Sequence, residues 1–99
     1  MKNLTLEHIA QVCNGTYYGP EGKKQEEVQS IITDSRKAES GCLFVPIVGE
    51  RVDAHKFIPQ VMEAGALATL SERLLENADF PYILVESSLQ AVKNIAEFY

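Results

Sequence analysis

The apolar run at residues 42–48 is the feature that most constrains how this chain can fold. It lies between two polar segments, Asp34-Ser35-Arg36 before it and residues 49–56 after it. A nearly continuous apolar run of this length is typical of a strand that is covered on both faces. Pro46 cannot donate to a strand ladder, so the strand ends near Val45, lies at an edge or contains a bulge. The pattern predicts a buried strand whose flanking loops carry the chemistry.

Apolar periodicity extends this prediction to the whole chain, residues 1–99. Leu6, Ile9 and Ala10 fall on one face of a first helix, with Thr5 as its N-cap. Asn14-Gly15 should end that helix, because glycine tolerates the left-handed conformation. The predicted elements are helices at 5–13, 57–64 and 87–99, strands at 16–18, 28–33, 42–48, 66–70 and 82–85, and a partly helical connection at 71–80.

This order of elements predicts a single α/β layered domain with a mixed, largely parallel sheet flanked by helices. The net charge of −5 argues against binding a nucleic-acid polymer. No run approaches the roughly 18 apolar residues of a membrane span, and the N-terminus has no apolar signal core, so we expect a cytoplasmic protein. Cys13 and Cys42 are then expected to be reduced, buried thiols, without the ligand spacing of a metal site.

The charge within residues 34–56 is balanced, so the whole negative charge lies outside this stretch. The local neutrality could admit an anionic ligand or could be chance in a small sample. Ser35 offers a hydroxyl, and Arg36 offers a planar fork that matches phosphate or carboxylate. The alternative for Asp34-Ser35-Arg36 is a structural turn with a surface ion pair.

The second polar segment holds Gly49, Asp53 and His55. Gly49 permits close backbone approach, and Asp53 and His55 can face one pocket if the segment is extended. Asp53 could instead cap the next helix. The pair has no supported nucleophile and no third or fourth metal ligand, so binding or capping is favoured over catalysis. The sequence contains no GxxxxGK[ST], GxGxxG, GxSxG or CxxC motif, and it predicts a binding module without catalytic residues.

The ordered combination of motifs resembles the N-terminal domain of the Mur ligases, the ATP-dependent enzymes that build the peptidoglycan stem peptide. The matching segments are Thr33-Asp34-Ser35-Arg36, Ser40-Gly41-Cys42-Leu43-Phe44-Val45, Gly49-Glu50, Asp53-Ala54-His55, Phe57-Ile58 and Ala64-Gly65-Ala66. Each is weak alone, but their order and spacing are fairly specific. The opening residues 4–10, Gly49-Glu50 and the ILVE run at 83–86 look like the member that adds D-alanyl-D-alanine. The member that adds the third amino acid, and a non-catalytic interaction domain, are the alternatives.

The resemblance implies that the domain holds the UDP end of UDP-MurNAc-tripeptide. Asp34, Ser35 and Arg36 would contact the nucleotide, and the loop with Gly49, Asp53 and His55 would close around it. ATP and Mg²⁺ would bind a central domain outside this fragment, and the central and C-terminal domains would be its partners. The chain stops on an apolar helical face at Tyr99, which suggests a fragment.

Three residues depart from the family pattern: Ala54 replaces glycine, Cys42 stands where aspartate is common, and Pro46 stands where alanine is common. These departures predict a changed loop geometry.

Overall fold

A five-stranded mixed sheet forms the centre of the computed structural model, which describes residues 4–98. The predicted helix end at Tyr99 lies outside the described residues. The strand order is β1-β5-β4-β3-β2; the four strands from β2 to β5 are parallel and β1 is antiparallel to β5. The elements are α1 (Leu6–Val12), β1 (Thr16–Tyr18), β2 (Ser30–Ile32), β3 (Cys42–Phe44), α2 (Ile58–Glu63), β4 (Ala68–Ser71), β5 (Tyr82–Leu84) and α3 (Ser88–Phe98).

Side chains of β3 alternate between two cores, one on each face of the sheet. Leu43 joins the larger core beneath α1 and α3, whereas Cys42 and Phe44 join the smaller core beneath α2. All three are fully buried. This confirms a strand covered on both faces, in an α/β domain with a mixed, largely parallel sheet. Burial of this apolar surface is the main stabilising term of the fold.

Several helices and strands begin or end where local sequence signals predicted. β3 ends at Phe44, and the Val45 amide still donates to the Ile32 carbonyl oxygen at 2.8 Å. The ladder goes no further, because Pro46 has no amide proton to donate. Thr5 caps α1, since its hydroxyl oxygen accepts the amide proton of His8 at 3.1 Å. Gln90 N–H donates to Ser87 Oγ at 3.1 Å, so Ser87 caps the last helix.

The first helix ends before Asn14-Gly15 as predicted, but for a different reason, and the prediction of a partly helical connection was wrong. The left-handed residue after α1 is Asn14 (φ 55°), and Gly15 is needed for packing instead. A Cβ at Gly15 would lie 2.6 Å from Ile83 Cγ2 and 2.8 Å from the Leu84 carbonyl oxygen. The connection at 71–80 contains no helix within the described residues. It is fixed by side chains, as when Leu75 N–H donates to the Tyr82 hydroxyl at 3.0 Å.

The parallel strands bring four loops to one edge of the sheet. β2 leads into Asp34, β3 into the segment before Gly49, β4 into Glu72 and β5 into the segment before Ser88. The carboxyl ends of parallel strands are where open α/β sheets place their ligands. Both polar segments singled out in the sequence therefore lie at this edge.

Candidate functional site

The Asp34-Ser35-Arg36 segment forms a self-contained turn after β2. Residues Ser35–Lys37 make one 3-10 turn, capped by Asp34 Oδ1, which accepts the amide proton of Arg36 at 2.9 Å. The Arg36 guanidinium also bonds Asp34 through both oxygens, with Nε–Oδ1 at 3.0 Å and Nη2–Oδ2 at 2.8 Å. Asp and Ser favour such turns because their side chains bond nearby amides. The turn thus contains the surface ion pair that the sequence left open.

The ion pair is exposed and keeps both groups charged. The side chain of Arg36 is 86% exposed. Its guanidinium hydrogen bonds to the carboxylate lower the pKa of Asp34 to about 2. Asp34 in turn raises the pKa of Arg36. Exposed pairs of this kind contribute little to stability, so the guanidinium can turn towards another anion at low cost.

A cavity of about 400 Å³ opens beside this turn. The 3-10 turn Ala54–Phe57 and the helix α2 that follows it form the facing wall. Phe57 and Ala54 give that wall an apolar surface, and Gln60 adds an amide. The residues that line the cavity are Thr33, Asp34, Ser35, Arg36, Ala54, Phe57 and Gln60. The arrangement combines a cation, a hydroxyl and an apolar wall.

Gly49 lies in a separate tight turn after β3. Its amide donates to the Val52 carbonyl oxygen at 2.8 Å, and Val48 and Asp53 pair as an isolated antiparallel bridge. A Cβ at Gly49 would lie 3.3 Å from that same carbonyl oxygen. Glu50 and Arg51 are exposed within the turn. Gly49 does not line the cavity, so the structure does not place it with Ser35 and Arg36.

Asp53 and His55 are bonded to the loop after β4. Asp53 Oδ1 accepts the amide proton of His55 at 2.9 Å, which caps the 3-10 turn. The same oxygen lies 2.6 Å from His55 Nδ1, and the guanidinium of Arg73 bonds Asp53 Oδ2. Glu72 N–H donates to His55 Nε2 at 2.8 Å. Asp53 and His55 therefore do face one another, but neither lines the cavity beside the Asp34 turn.

These bonds hold Asp53 in its charged form. Its pKa is lowered well below the ordinary value of 3.8, first by the His55 amide, then by the Arg73 guanidinium and the His55 ring. The structure thus gives Asp53 the capping role considered from the sequence. Ala54, between the two polar residues, turns towards the cavity. It lies in the 3-10 turn without a positive φ, so no glycine is required there.

Several contributing residues were missed by the sequence reasoning. Phe57 and Gln60 line the cavity, although Phe57 was named only as a helix residue and as part of the matching segment Phe57-Ile58. Glu72 and Arg73 hold the second loop, and no local signal identifies them because their partners lie 17 and 20 positions earlier. Cys13 and Cys42 are buried free thiols, as expected, and burial raises the pKa of Cys13 to about 11.

Another hollow, of about 490 Å³, lies between α1 and α3. Its lining contains no lysine or arginine among the described residues, so it is less suited to binding an anion than the cavity beside Arg36 is. Within residues 4–98 no group of three or more His, Cys, Asp or Glu could hold a metal ion. In the same range, no helix is long and apolar enough to cross a membrane.

Relatives of this chain are ligases of peptidoglycan synthesis. No protein-family model matches the chain. It is 37% identical over 101 residues to the UDP-N-acetylmuramoyl-tripeptide–D-alanyl-D-alanine ligase of Bacillus subtilis (strain 168), covering 100% of this chain and 22% of the relative. A UDP-N-acetylmuramoyl-L-alanyl-D-glutamate–2,6-diaminopimelate ligase of Listeria monocytogenes is 37% identical over 79 residues, covering 80% of this chain and 16% of the relative.

A solved structure decides the family. A crystal structure of MurF from Acinetobacter baumannii superposes with a TM-score of 0.85 and 32% identity, over 96% of this chain and 20% of that one. The chain belongs to the family of Mur ligase N-terminal domains. MurF of Thermotoga maritima, solved with ADP, matches this Mur ligase domain with a TM-score of 0.60 and 34% identity over 71% of its length and 16% of that chain.

The match confirms the predicted family and fold. This Mur ligase domain spans about a fifth of the length of the relatives it matches, 22% of the Bacillus subtilis ligase. The D-alanyl-D-alanine ligase of Bacillus subtilis aligns with the whole chain, whereas the diaminopimelate ligase aligns with 80% of it. The Bacillus subtilis ligase and MurF of Acinetobacter baumannii both match nearly the whole chain, which agrees with the preference for the D-alanyl-D-alanine-adding member.

Proposed function

We propose that this domain binds the UDP moiety of UDP-MurNAc-tripeptide, as part of a cytoplasmic, ATP-dependent ligase that adds D-alanyl-D-alanine. The observation that carries the proposal is the cavity beside the Asp34 turn, at the carboxyl ends of the parallel strands. A guanidinium and a hydroxyl lie there opposite an apolar wall. A nucleoside diphosphate has the matching parts, an anionic group and a flat base.

Arg36 and Ser35 are the proposed contacts for the diphosphate. The Arg36 fork would exchange the Asp34 carboxylate for phosphate oxygens, which arginine binds through paired hydrogen bonds. Ser35 would add a hydroxyl donor. Phe57 and Ala54 would cover the base. Gly49, Asp53 and His55 shape the neighbouring loop in this proposal, and Asp34 caps the turn that carries Arg36.

ATP and Mg²⁺ are proposed to bind outside this domain. Residues 1–99 contain no GxxxxGK[ST] loop, and Arg36, the arginine that lines the cavity, already has a proposed role with UDP. MurF of Thermotoga maritima, a much longer chain, was solved in complex with ADP. The proposed partners of this domain are therefore the substrate and the remaining domains of the same ligase.

Calorimetric titration of the chain with UDP tests the nucleotide site. We expect Arg36→Ala to weaken UDP binding about tenfold, the size of one lost charge-assisted hydrogen bond. Lys37→Ala is the matched control, because it removes a neighbouring positive charge that does not line the cavity. Equal losses in the two variants would reduce the effect to general electrostatics. Absence of UDP binding in the unaltered chain would instead favour an interaction domain.

Kinetics of the full-length ligase test the role of the site in the reaction. Ser35→Ala should raise KM for UDP-MurNAc-tripeptide more than it lowers kcat, because the site is remote from bond formation. The diaminopimelate-adding ligases are the second candidate, since they match 80% of this chain. Assaying D-alanyl-D-alanine against diaminopimelate, each with its own UDP-sugar acceptor, separates the two. Turnover only with diaminopimelate would replace the first candidate by the second.

A further inference from the structure

A chain of hydrogen bonds joins two loops that are far apart in the sequence. We call Asp53, His55, Glu72 and Arg73 the loop bracket. Arg73 bonds Asp53, Asp53 bonds the His55 ring, and the ring accepts the Glu72 amide proton at 2.8 Å. The bracket ties the segment after β3 to the end of β4. Its members are separated by up to 20 positions, so it forms only when the sheet has formed.

The geometry of the bracket defines the state of the His55 ring. Nε2 accepts a proton from a backbone amide, which has no other role than donor, so Nε2 carries no proton. The ring proton is then on Nδ1 and is donated to Asp53 Oδ1 at 2.6 Å. The residue is 6% exposed, so water cannot readily replace either partner. The ring is a neutral imidazole in one tautomer.

The charged groups around the ring come from three segments. Asp53 contacts it from its own 3-10 turn, and Arg73 reaches Asp53 from the loop after β4. The Glu72 carboxylate turns away, because its Oε2 accepts the Ser88 amide proton at 2.7 Å at the start of α3. Glu76 and Asp79 line a cavity of about 350 Å³ that also borders His55. The described residues of α2 that line that cavity are the apolar Ile58 and Pro59.

We propose that His55 is a positioning residue whose neutral, Nδ1-protonated ring sets the path of residues 53–57 against β4. This path places Ala54 and Phe57 on the wall of the cavity, so the consequence for ligand binding rests on the proposed UDP site. Protonation of Nε2 would point a donor at the Glu72 amide proton. The Nδ1-protonated tautomer is therefore the one that keeps residues 53–57 tied to the loop after β4.

Nuclear magnetic resonance of the ¹⁵N-labelled chain tests the tautomer without any ligand. We expect the His55 ring to show a protonated Nδ1 and an unprotonated Nε2 at neutral pH. The Glu72 amide should show a scalar coupling across its hydrogen bond to His55 Nε2. His8, the second histidine of the chain, supplies an internal comparison. A protonated Nε2 at neutral pH, or the absence of that coupling, would overturn the proposal.

Two variants separate the two hydrogen bonds of the ring. His55→Gln can place an acceptor near the Nε2 position and keep the Glu72 bond, whereas His55→Asn can keep only the Asp53 bond. We expect His55→Gln to bind UDP within about threefold of the unaltered chain, and His55→Asn to bind about tenfold more weakly, the size of one lost buried hydrogen bond. UDP affinity that is the same in both variants and in the unaltered chain would contradict the proposal.

The measurements distinguish a wrong nucleotide site from a wrong role for His55. If the unaltered chain binds no UDP, the nucleotide site is wrong, and the ring tautomer with the Glu72 amide coupling still decides the role of His55. If UDP binds normally and His55→Asn changes neither affinity nor the Glu72 amide, only the positioning role is wrong. Circular dichroism of each variant confirms that the comparison is made on folded chains.

Discussion

The two polar loops at the sheet edge are held in opposite ways. The turn after β2 is closed by bonds between Asp34 and Arg36, two positions apart. The loop after β3 is closed by bonds from His55 and Asp53 to residues that lie 17 and 20 positions later, respectively. The first arrangement is local and exposed; the second is long-range and surrounds a buried ring. The same residue types thus form an exposed surface ion pair in one loop and a fixed framework in the other.

The energetic consequence follows from solvent exposure. An exposed ion pair is screened by water and salt, so Arg36 can leave Asp34 at little cost. A buried donor that loses its acceptor costs about 1–3 kcal/mol. The Asp34 turn is therefore suited to exchange partners with a ligand. The loop bracket is suited to hold the opposite wall in place.

Removal of the His55 ring should give the largest effect on stability. His55→Ala leaves the Glu72 amide proton unpaired and opens a cavity, so we expect the free energy of unfolding to fall by about 2–4 kcal/mol. Urea unfolding followed by circular dichroism measures it. Lys37→Ala, in the exposed turn, should stay within about 0.5 kcal/mol of the unaltered chain. Equal losses of unfolding free energy in both variants would mean that the two loops do not differ in their contribution to stability.

Arg73→Ala should give the next largest effect, seen at acid pH. The pKa of Asp53 is lowered in the folded state, so its contribution to stability is present above 3.8 and is lost as the pH falls through the folded value. Loss of the guanidinium raises that folded pKa, and acid destabilisation should begin at a higher pH. Urea unfolding between pH 6 and about 2 measures the shift. Arg51→Ala, an exposed arginine in the same loop as Asp53, is the control and should leave the profile unchanged.

Arg36→Ala should have a smaller effect on stability at acid pH than Arg73→Ala has. Its guanidinium is the largest cause of the low pKa of Asp34, about 2, so the variant should return that pKa towards 3.8. The contribution of this pair to stability is present above 3.8 and is lost as the pH falls through about 2. Carboxyl ¹³C titration reads the pKa directly, and added salt should shrink the shift. An unchanged pKa of Asp34 would mean that the hydrogen bond from the Arg36 amide, and not the guanidinium, keeps that pKa low.

The smallest effect is expected from Asp34→Asn. Asparagine preserves the cap but removes the carboxylate that competes for Arg36. UDP affinity should rise by about threefold, in keeping with a weak exposed ion pair. Calorimetric titration measures it, with Glu39→Gln as a control for a nearby acid outside the cavity lining. A fall in affinity would show that Asp34 contacts the nucleotide itself.

What the sequence predicted correctly depends on signals that act over a few residues. Thr5 capped α1, Pro46 ended β3, and the apolar run gave a strand with two covered faces. The turn at Asp34 was also foreseen as an alternative, because its bonds are local. The resemblance then supplied the family, which composition and periodicity do not contain.

What the sequence failed to predict depends on contacts formed in three dimensions. The partners of His55 are chosen by the parallel pairing of β3 with β4, which no pattern near residue 55 encodes. Gly15 was explained by backbone freedom, whereas Ile83 and Leu84 of the paired strand leave no room for a side chain. The connection at 71–80 has helix-compatible residues, yet the Tyr82 hydroxyl bonds the Leu75 amide instead.

The position of β2 has a consequence for motion. Within the described residues, β2 is an edge strand of the sheet and pairs with β3 alone. A strand bonded on one side opens by local fluctuation at a lower free energy than the centre of the sheet. Amide hydrogen exchange should therefore be faster in β2 and the Asp34 turn than in β4. The side of the cavity that carries Arg36 therefore follows an edge strand, whereas the wall held by His55 is tied to the loop after the central strand β4.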